Sequence, residues 1–178
     1  MILVDTALQN REEEGRPIWV GLVGAGAMAG GIAGLIVRSV PGMTLSAVAN
    51  RTVERAAAIF KNCGCDDVRE ASSVEALEDA ITSGRPAVVG DPALLCESGS
   101  IDVLIDATGA VEFGARLALK AFSCGKDVVS MNVELDATLG SVIQEHARKA
   151  GVIYTIADGD QPAVEMNLFR FVKGIGVE

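Results

Sequence analysis

The segment that most limits the fold is Ile18-Trp-Val-Gly-Leu-Val23 running directly into Gly24-Ala-Gly26-Ala-Met28-Ala29. So short an apolar run is wrong for a buried helix and right for a strand covered on both faces. The glycines predict a turn, after which Met28, Ile32, Leu35 and Ile36 recur at helical spacing. A strand that passes at once into a helix opens a βαβ unit.

The rest of the chain keeps that alternation. Pro41-Gly42 stops the helix and Met43–Val48 reads as a second strand; Thr52 then caps a helix with Val53, Ala56 and Phe60 on one face. Ser72-Ser-Val-Glu75 has the pattern of a capping box, with Val74, Leu77 and Ile81 lining the helix it opens. Residues 63–85 read as an elaboration ahead of a third strand, Pro86–Gly90, and Asp91-Pro92 starts a brief helical turn. Ile101–Ala107 is a fourth strand, followed by a helix carrying Val111, Ala115, Ala118, Leu119 and Phe122. Asp127–Met131 is a fifth, then a helix with Leu139, Val142, Ile143 and Ala147, then a sixth strand at Val152–Ala157. A final helix, Gln161–Lys173, places Val164, Leu168 and Phe171 together. Strands separated by helices, with no hairpin turn, demand right-handed crossovers and a parallel sheet. The expectation is an α/β fold: a doubly wound, six-stranded parallel sheet of order 3-2-1-4-5-6 with helices on both faces, the Rossmann arrangement.

Composition bounds what such a fold can do here. The 178 residues carry 15 Lys+Arg against 24 Asp+Glu, a formal charge of −9, and hydrophobic residues make up 49%. That is one folded domain with at most a small appendage, and its acidic balance argues against nucleic acid or an anionic membrane as partner. No apolar run approaches the roughly 20 residues of a membrane span. The opening residues lack the basic head and long apolar core of a signal peptide. They read as a helical arm over residues 1–16, with Ile2, Leu3, Thr6 and Ala7 on one side. Four cysteines are too few for a disulfide framework and point to the reducing cytoplasm, and Cys63-Gly64-Cys65 does not have zinc-ligand spacing.

The turn itself matches G-x-G-x-x-G/A in the context that gives the pattern meaning. Gly24 allows the tight turn, Gly26 lets a pyrophosphate approach the backbone, and Ala29 lets helix and strand pack closely. Ala27 and Met28 open the helix, whose free N–H groups and positive dipole end face the phosphates. The competing reading is close packing with no ligand. The second strand ends in Ala49-Asn50-Arg51-Thr52, where a site selective for NAD usually has an Asp or Glu for the ribose 2′-hydroxyl. With no carboxylate there, Arg51 can pair with a 2′-phosphate while Asn50 and Thr52 donate hydrogen bonds, so NADPH is expected to be preferred over NADH. The simpler alternative is a solvated arginine at a helix start.

Ligands of open α/β sheets lie outside the carboxyl ends of the strands. That edge collects Ala107, Thr108 and Gly109, expected to line the nicotinamide ribose, and Asn132, expected to hydrogen-bond the nicotinamide end or a substrate oxygen. Glu134, Asp136, Asp158 and Asp160 add carboxylates, of which Asp136 and Asp160 are read as helix caps. No metal site and no nucleophile–base pair is readable, which leaves the catalytic residues unassigned. His146, the only histidine, is expected to pack at the far end of its helix, away from the ligand edge.

Met-Ile-Leu-Val-Asp-Thr-Ala-Leu at the start, the Gly24–Met28 turn, Ile101–Gly109 and Met131-Asn-Val-Glu134 together resemble the 1-deoxy-D-xylulose 5-phosphate reductoisomerase-like oxidoreductases. More broadly the chain is similar to homoserine-dehydrogenase-type NAD(P)-binding domains, some followed by an SAF-like module. The resemblance implies an NADPH-dependent enzyme acting on a small sugar phosphate or related hydroxy or keto compound. It also implies a dinucleotide-binding domain at 17–160, with 161–178 leading towards a further catalytic domain. On that reading the 178-residue chain alone does not turn over substrate, and the apolar face around Phe169, Phe171 and Val172 is left for that domain or for a second copy of the chain. Val133 stands where true reductoisomerases have a lysine, between Asn132 and Glu134. A dinucleotide-sensing regulatory module without turnover is the rival reading.

Overall fold

Ile18–Val23 becomes the central strand, β1, of a parallel sheet in the computed structural model, which describes residues 4–157 and 162–177. Around it lie β2 (Met43–Ala49), β3 (Arg69–Ala71), β4 (Ala87–Val89), β5 (Val103–Asp106), β6 (Asp127–Ser130) and β7 (Tyr154–Ile156). The order is β3-β4-β2-β1-β5-β6-β7, and every pairing is parallel. Without β3 this is the expected 3-2-1-4-5-6 order of a doubly wound fold. The additional strand lies inside the segment read as an elaboration. Arg69-Glu-Ala has neither an apolar run nor alternation, because β3 is a short edge strand with two of its three residues exposed.

Side chains alternate across the pleat and build two cores. On one face α2 (Ala27–Ser39) and α3 (Val53–Asn62) cover Val20, Leu22, Leu45, Val48 and Val88. On the other, α4 (Val74–Thr82), α5 (Ala93–Glu97), α6 (Val111–Ser123) and α7 (Val133–Ala150) cover Val23, Ala47, Val89, Leu104 and Val128. Each Leu or Phe fully buried in these layers is worth about 1.5–3 kcal/mol.

The helices bury different stripes from some of those expected. α2 packs through Ala29, Ala33, Gly34 and Ile36, while Met28 and Leu35 face out. A helix that starts so close to the sheet presents its small residues inward, and the larger ones occupy the neighbouring stripe. Leu119 on α6 and Val142 on α7 are likewise exposed, the work being done by Leu117, Ala121, Leu135 and Ile143. Ser73, one residue after the expected cap, accepts the Ala76 N–H at 3.2 Å. Thr52 sits at the N-cap position of α3 but makes no side-chain cap bond. His146 is exposed and so does not pack as expected, although it does lie in the last turns of α7, away from the strand ends that face the crevice.

The terminal elements stand apart. The first helix, α1 (Val4–Glu13), is held by a carboxylate: Glu12 accepts the Gly42 N–H at 2.8 Å, whereas Thr6 and Ala7 are exposed. Ile2 and Leu3 lie outside the described residues. In the last helix, α8 (Pro162–Gly174), Leu168, Phe169 and Phe171 are all exposed. The side chain of Val164 falls outside the described ones. No helix among the described residues is long and apolar enough to cross a membrane.

Candidate functional site

The strand order reverses between β1 and β5, and at this switch point the carboxyl ends splay to leave a crevice. A cavity of about 310 Å³ opens there, between Gly24, Asn50, Arg51 and Gly90 on one side and Thr108 and Phe113 on the other. A second hollow of about 430 Å³, near Trp19, Met43 and Arg85, lies at the opposite edge, where strands begin. Only the first has the glycine-rich turn on its rim.

Gly24 is locked in by the three strands it joins. Its φ is +114°, its N–H donates to the Ala49 carbonyl at 2.9 Å, and a β-carbon there would lie 2.9 Å from the Ala107 carbonyl. Gly26 is the N-cap of α2 and meets nothing: a β-carbon on it would have no neighbour within 4 Å. The first bond of this helix is Gly30 N–H to the Gly26 carbonyl, which leaves the N–H groups of Ala27, Met28 and Ala29 for the space above the turn. No side chain caps this helix and no acid stands in its first turn. Packing explains Gly24 by itself; it does not explain Gly26, whose open surroundings suit a phosphate.

At the end of β2, Asn50 takes the Val89 carbonyl through its N–H at 3.0 Å and donates its amide to the Thr52 carbonyl at 2.8 Å. The asparagine thus shapes the turn that presents Arg51, which is exposed on the cavity rim and has no ion-pair partner among the described residues. Thr52 is exposed beside it.

The opposite wall is made of polar side chains. Asp106, the last residue of β5, is buried; its Oδ1 accepts both the N–H of Thr108, at 2.9 Å, and its hydroxyl, at 2.6 Å. Burial pushes the Asp106 carboxyl above its ordinary value, against the pull of the bonds from Thr108 and Asn132. Asn132 is fully buried as the N-cap of α7, its Oδ1 accepting the Leu135 N–H at 3.1 Å. It therefore does not offer the free amide expected for the nicotinamide end: it sits beneath the crevice wall rather than on it. Ala107 and Thr108 are half-buried, and Gly109 and Ala110 are exposed.

Asp106 is the residue that sequence reasoning missed. Its only signal is a charged residue closing an otherwise apolar strand. Asp136 does not cap α7; Asn132 does, and Asp136 lies in the first turn beside Glu134, where the helix dipole favours both. Asp158 and Asp160 lie outside the described residues. Among those described, no three His, Cys, Asp or Glu side chains gather as a metal site. The four thiols are free, and burial pushes that of Cys96 up to about 12, far from a reactive thiolate.

A switch-point crevice with a bare helix N-terminus on one wall defines a dinucleotide-binding α/β domain. Residues 24–157 match the family described as the homoserine dehydrogenase NAD-binding domain, and the chain belongs to that family. It is 28% identical over 138 residues to a homoserine dehydrogenase of Pseudomonas aeruginosa, a match covering 78% of this chain and 28% of that protein. The fold is shared with a homoserine dehydrogenase from Thiobacillus denitrificans (TM-score 0.60, 24% identity, 79% of this chain and 29% of that one). It is also shared with a myo-inositol dehydrogenase from Lactobacillus casei solved with NAD(H) and myo-inositol (TM-score 0.63, 17% identity, 90% and 43%). The chain is thus the nicotinamide-dinucleotide-binding domain of a dehydrogenase family, and it spans under a third of the homoserine dehydrogenases it matches.

Proposed function

We propose that the chain is the NADP-binding domain of an NADPH-dependent oxidoreductase whose substrate is a small sugar phosphate or a related hydroxy or keto compound. The observation that carries the cofactor preference is Arg51, exposed on the rim at the end of β2 with no carboxylate beside it. A guanidinium so placed binds a 2′-phosphate by charge-assisted hydrogen bonds, while the bare N-terminus of α2 takes the pyrophosphate. In this pose the adenine end lies near Asn50–Thr52 and the nicotinamide passes the Thr108–Ala110 wall.

The substrate class rests on the likeness of Met131-Asn-Val-Glu134 to the reductoisomerase-like oxidoreductases. Among the described residues Arg51 is the one ionisable side chain lining the cavity, and a guanidinium stays charged and serves neither as acid nor as base. This supports a division of labour in which residues 17–160 hold the cofactor and a domain reached through 161–178 supplies the chemistry. The 178-residue chain then binds dinucleotide without turning over substrate. The exposed Leu168, Phe169 and Phe171 are the surface for that domain or for a second copy of the chain. The free thiols fit a cytoplasmic setting.

Titration calorimetry with both cofactors tests the preference. NADPH binds more tightly than NADH, and Arg51→Ala weakens NADPH by about 1.5–3 kcal/mol while leaving NADH nearly unchanged. Equal losses for the two cofactors would remove the 2′-phosphate from Arg51.

A further inference from the structure

One buried amide ties the second wall of the crevice to the helix behind it. While Asn132 Oδ1 caps α7, its Nδ2 donates to the Ala110 carbonyl at 3.2 Å and approaches Thr108 Oγ1 and Asp106 Oδ2, each at 3.4 Å. Its own N–H reaches Ser130 Oγ at 3.1 Å. Capping alone needs only the oxygen, which serine or aspartate supplies equally well. The nitrogen goes to the end of β5 and to the β5–α6 loop, whose Thr108 and Ala110 line the cavity. Asp106 holds the same loop from below through Thr108. Gly114 leaves room for both, since a β-carbon there would lie 2.7 Å from Asp106 Oδ2 and 2.8 Å from Asn132 Nδ2.

We propose that Asn132 and Asp106 are positioning residues: they clamp the Thr108–Ala110 wall in the place that receives the nicotinamide half of the dinucleotide, and they fix it to the start of α7. This rests on the dinucleotide reading of the crevice. Neither side chain touches the cofactor; both act through Thr108 and Ala110.

Asn132→Asp isolates the clamp. It keeps the capping oxygen but turns the donor into a second acceptor facing Asp106 and the Ala110 carbonyl. At pH 8 the two carboxylates repel and the wall is released. As pH falls, one proton shared by the pair restores a donor. The ionisable groups on the elements packed against this cluster include Tyr154 of β7, Asp136 and the exposed Glu134 in the first turn of α7, and the exposed Glu112 in the first turn of α6, whose Gly114 abuts both side chains. Burial raises the Tyr154 phenol above its ordinary value, against the pull of Ser130, so it stays neutral at these pH values.

The expected result at pH 8 is NADPH binding weaker by about ten- to a hundredfold, the effect of an unmade buried hydrogen bond. The gap to the unsubstituted chain closes towards pH 5.5. The exchange Asp106→Asn with Asn132→Asp puts an amide opposite a carboxylate again and recovers binding at pH 8. In the ligand-free chain, hydrogen exchange at the Thr108 N–H speeds up in Asn132→Asp and slows again in the exchanged pair. Should Asn132→Asp fail to fold, Asn132→Ser keeps a cap without the amide and gives the same losses with no pH dependence. Unchanged binding together with unchanged exchange in a folded Asn132→Asp chain would overturn the clamp. Faster exchange in a chain whose parent binds neither NADPH nor NADH would overturn the dinucleotide reading and leave the clamp standing.

Discussion

Where β1 meets α2 the crevice is built of backbone, and where β5 meets α6 it is built of side chains. The first wall presents free N–H groups over Gly26 and contains no polar side chain at all between Gly24 and Ala29. The second is a short loop held from below by Asp106 and from behind by Asn132. A backbone wall recognises any phosphate that can come close and costs nothing to keep rigid, because the helix orients it. A side-chain wall must bury its polar groups and satisfy each one, so its shape depends on several elements arriving together.

Substituting the two turn glycines breaks this comparison most sharply. Gly24→Ala sets a side chain at φ +114° against the Ala107 carbonyl and should cost about 1–3 kcal/mol in stability as well as dinucleotide binding. Gly26→Ala meets no protein atom, so its melting temperature should stay near that of the parent while NADPH affinity falls. Thermal melts beside calorimetry separate the two. A Gly26→Ala chain that binds normally would mean that the open space over the turn is not where the pyrophosphate lies.

The second wall is probed by Gly114→Ala, which forces a methyl between Asp106 and Asn132. A loss of about 1–3 kcal/mol in urea denaturation is expected from the overpacking. Paired with Asp106→Asn the loss should not add, since both disturb the same contact; full additivity would place the strain elsewhere. The smallest effect belongs to His146→Gln. The imidazole is exposed at the end of α7 far from either wall, so stability should move by less than about 0.5 kcal/mol and dinucleotide binding not at all. A clear change in binding would contradict the topology that puts this end of α7 opposite the crevice.

The difference between the walls also explains which of them could be read in advance. The Gly24–Ala29 turn is local: a strand, a glycine pair and a helix within a dozen residues carry both its shape and the free N–H groups above it. The position of Arg51 was legible for the same reason, two residues past the end of β2 on the rim of the crevice. Asn132 was placed at the correct edge, yet its role depends on Leu135, Ala110, Thr108 and Asp106, three of which lie more than twenty residues away. Asp106 drew no notice in the sequence because its partners, Thr108 and Asn132, come to it from the β5–α6 loop and the start of α7.

By itself the sequence determined the alternation of strands and helices, the parallel order of six strands, and the place and shape of the glycine-rich turn. Hydrophobic period and turn residues act over a few positions and need no partner to be recognised. Tertiary structure decided the rest: the edge strand β3, which has no apolar pattern because it pairs only with β4 and buries only Ala71, and the stripe of α2 that packs, chosen by how closely the helix approaches the sheet. It also turned Asn132 inward, because a buried amide must satisfy its donor as well as its acceptor, and only Asp106, Thr108 and Ala110, brought beside it by the parallel pairing of β5 and β6, can do so.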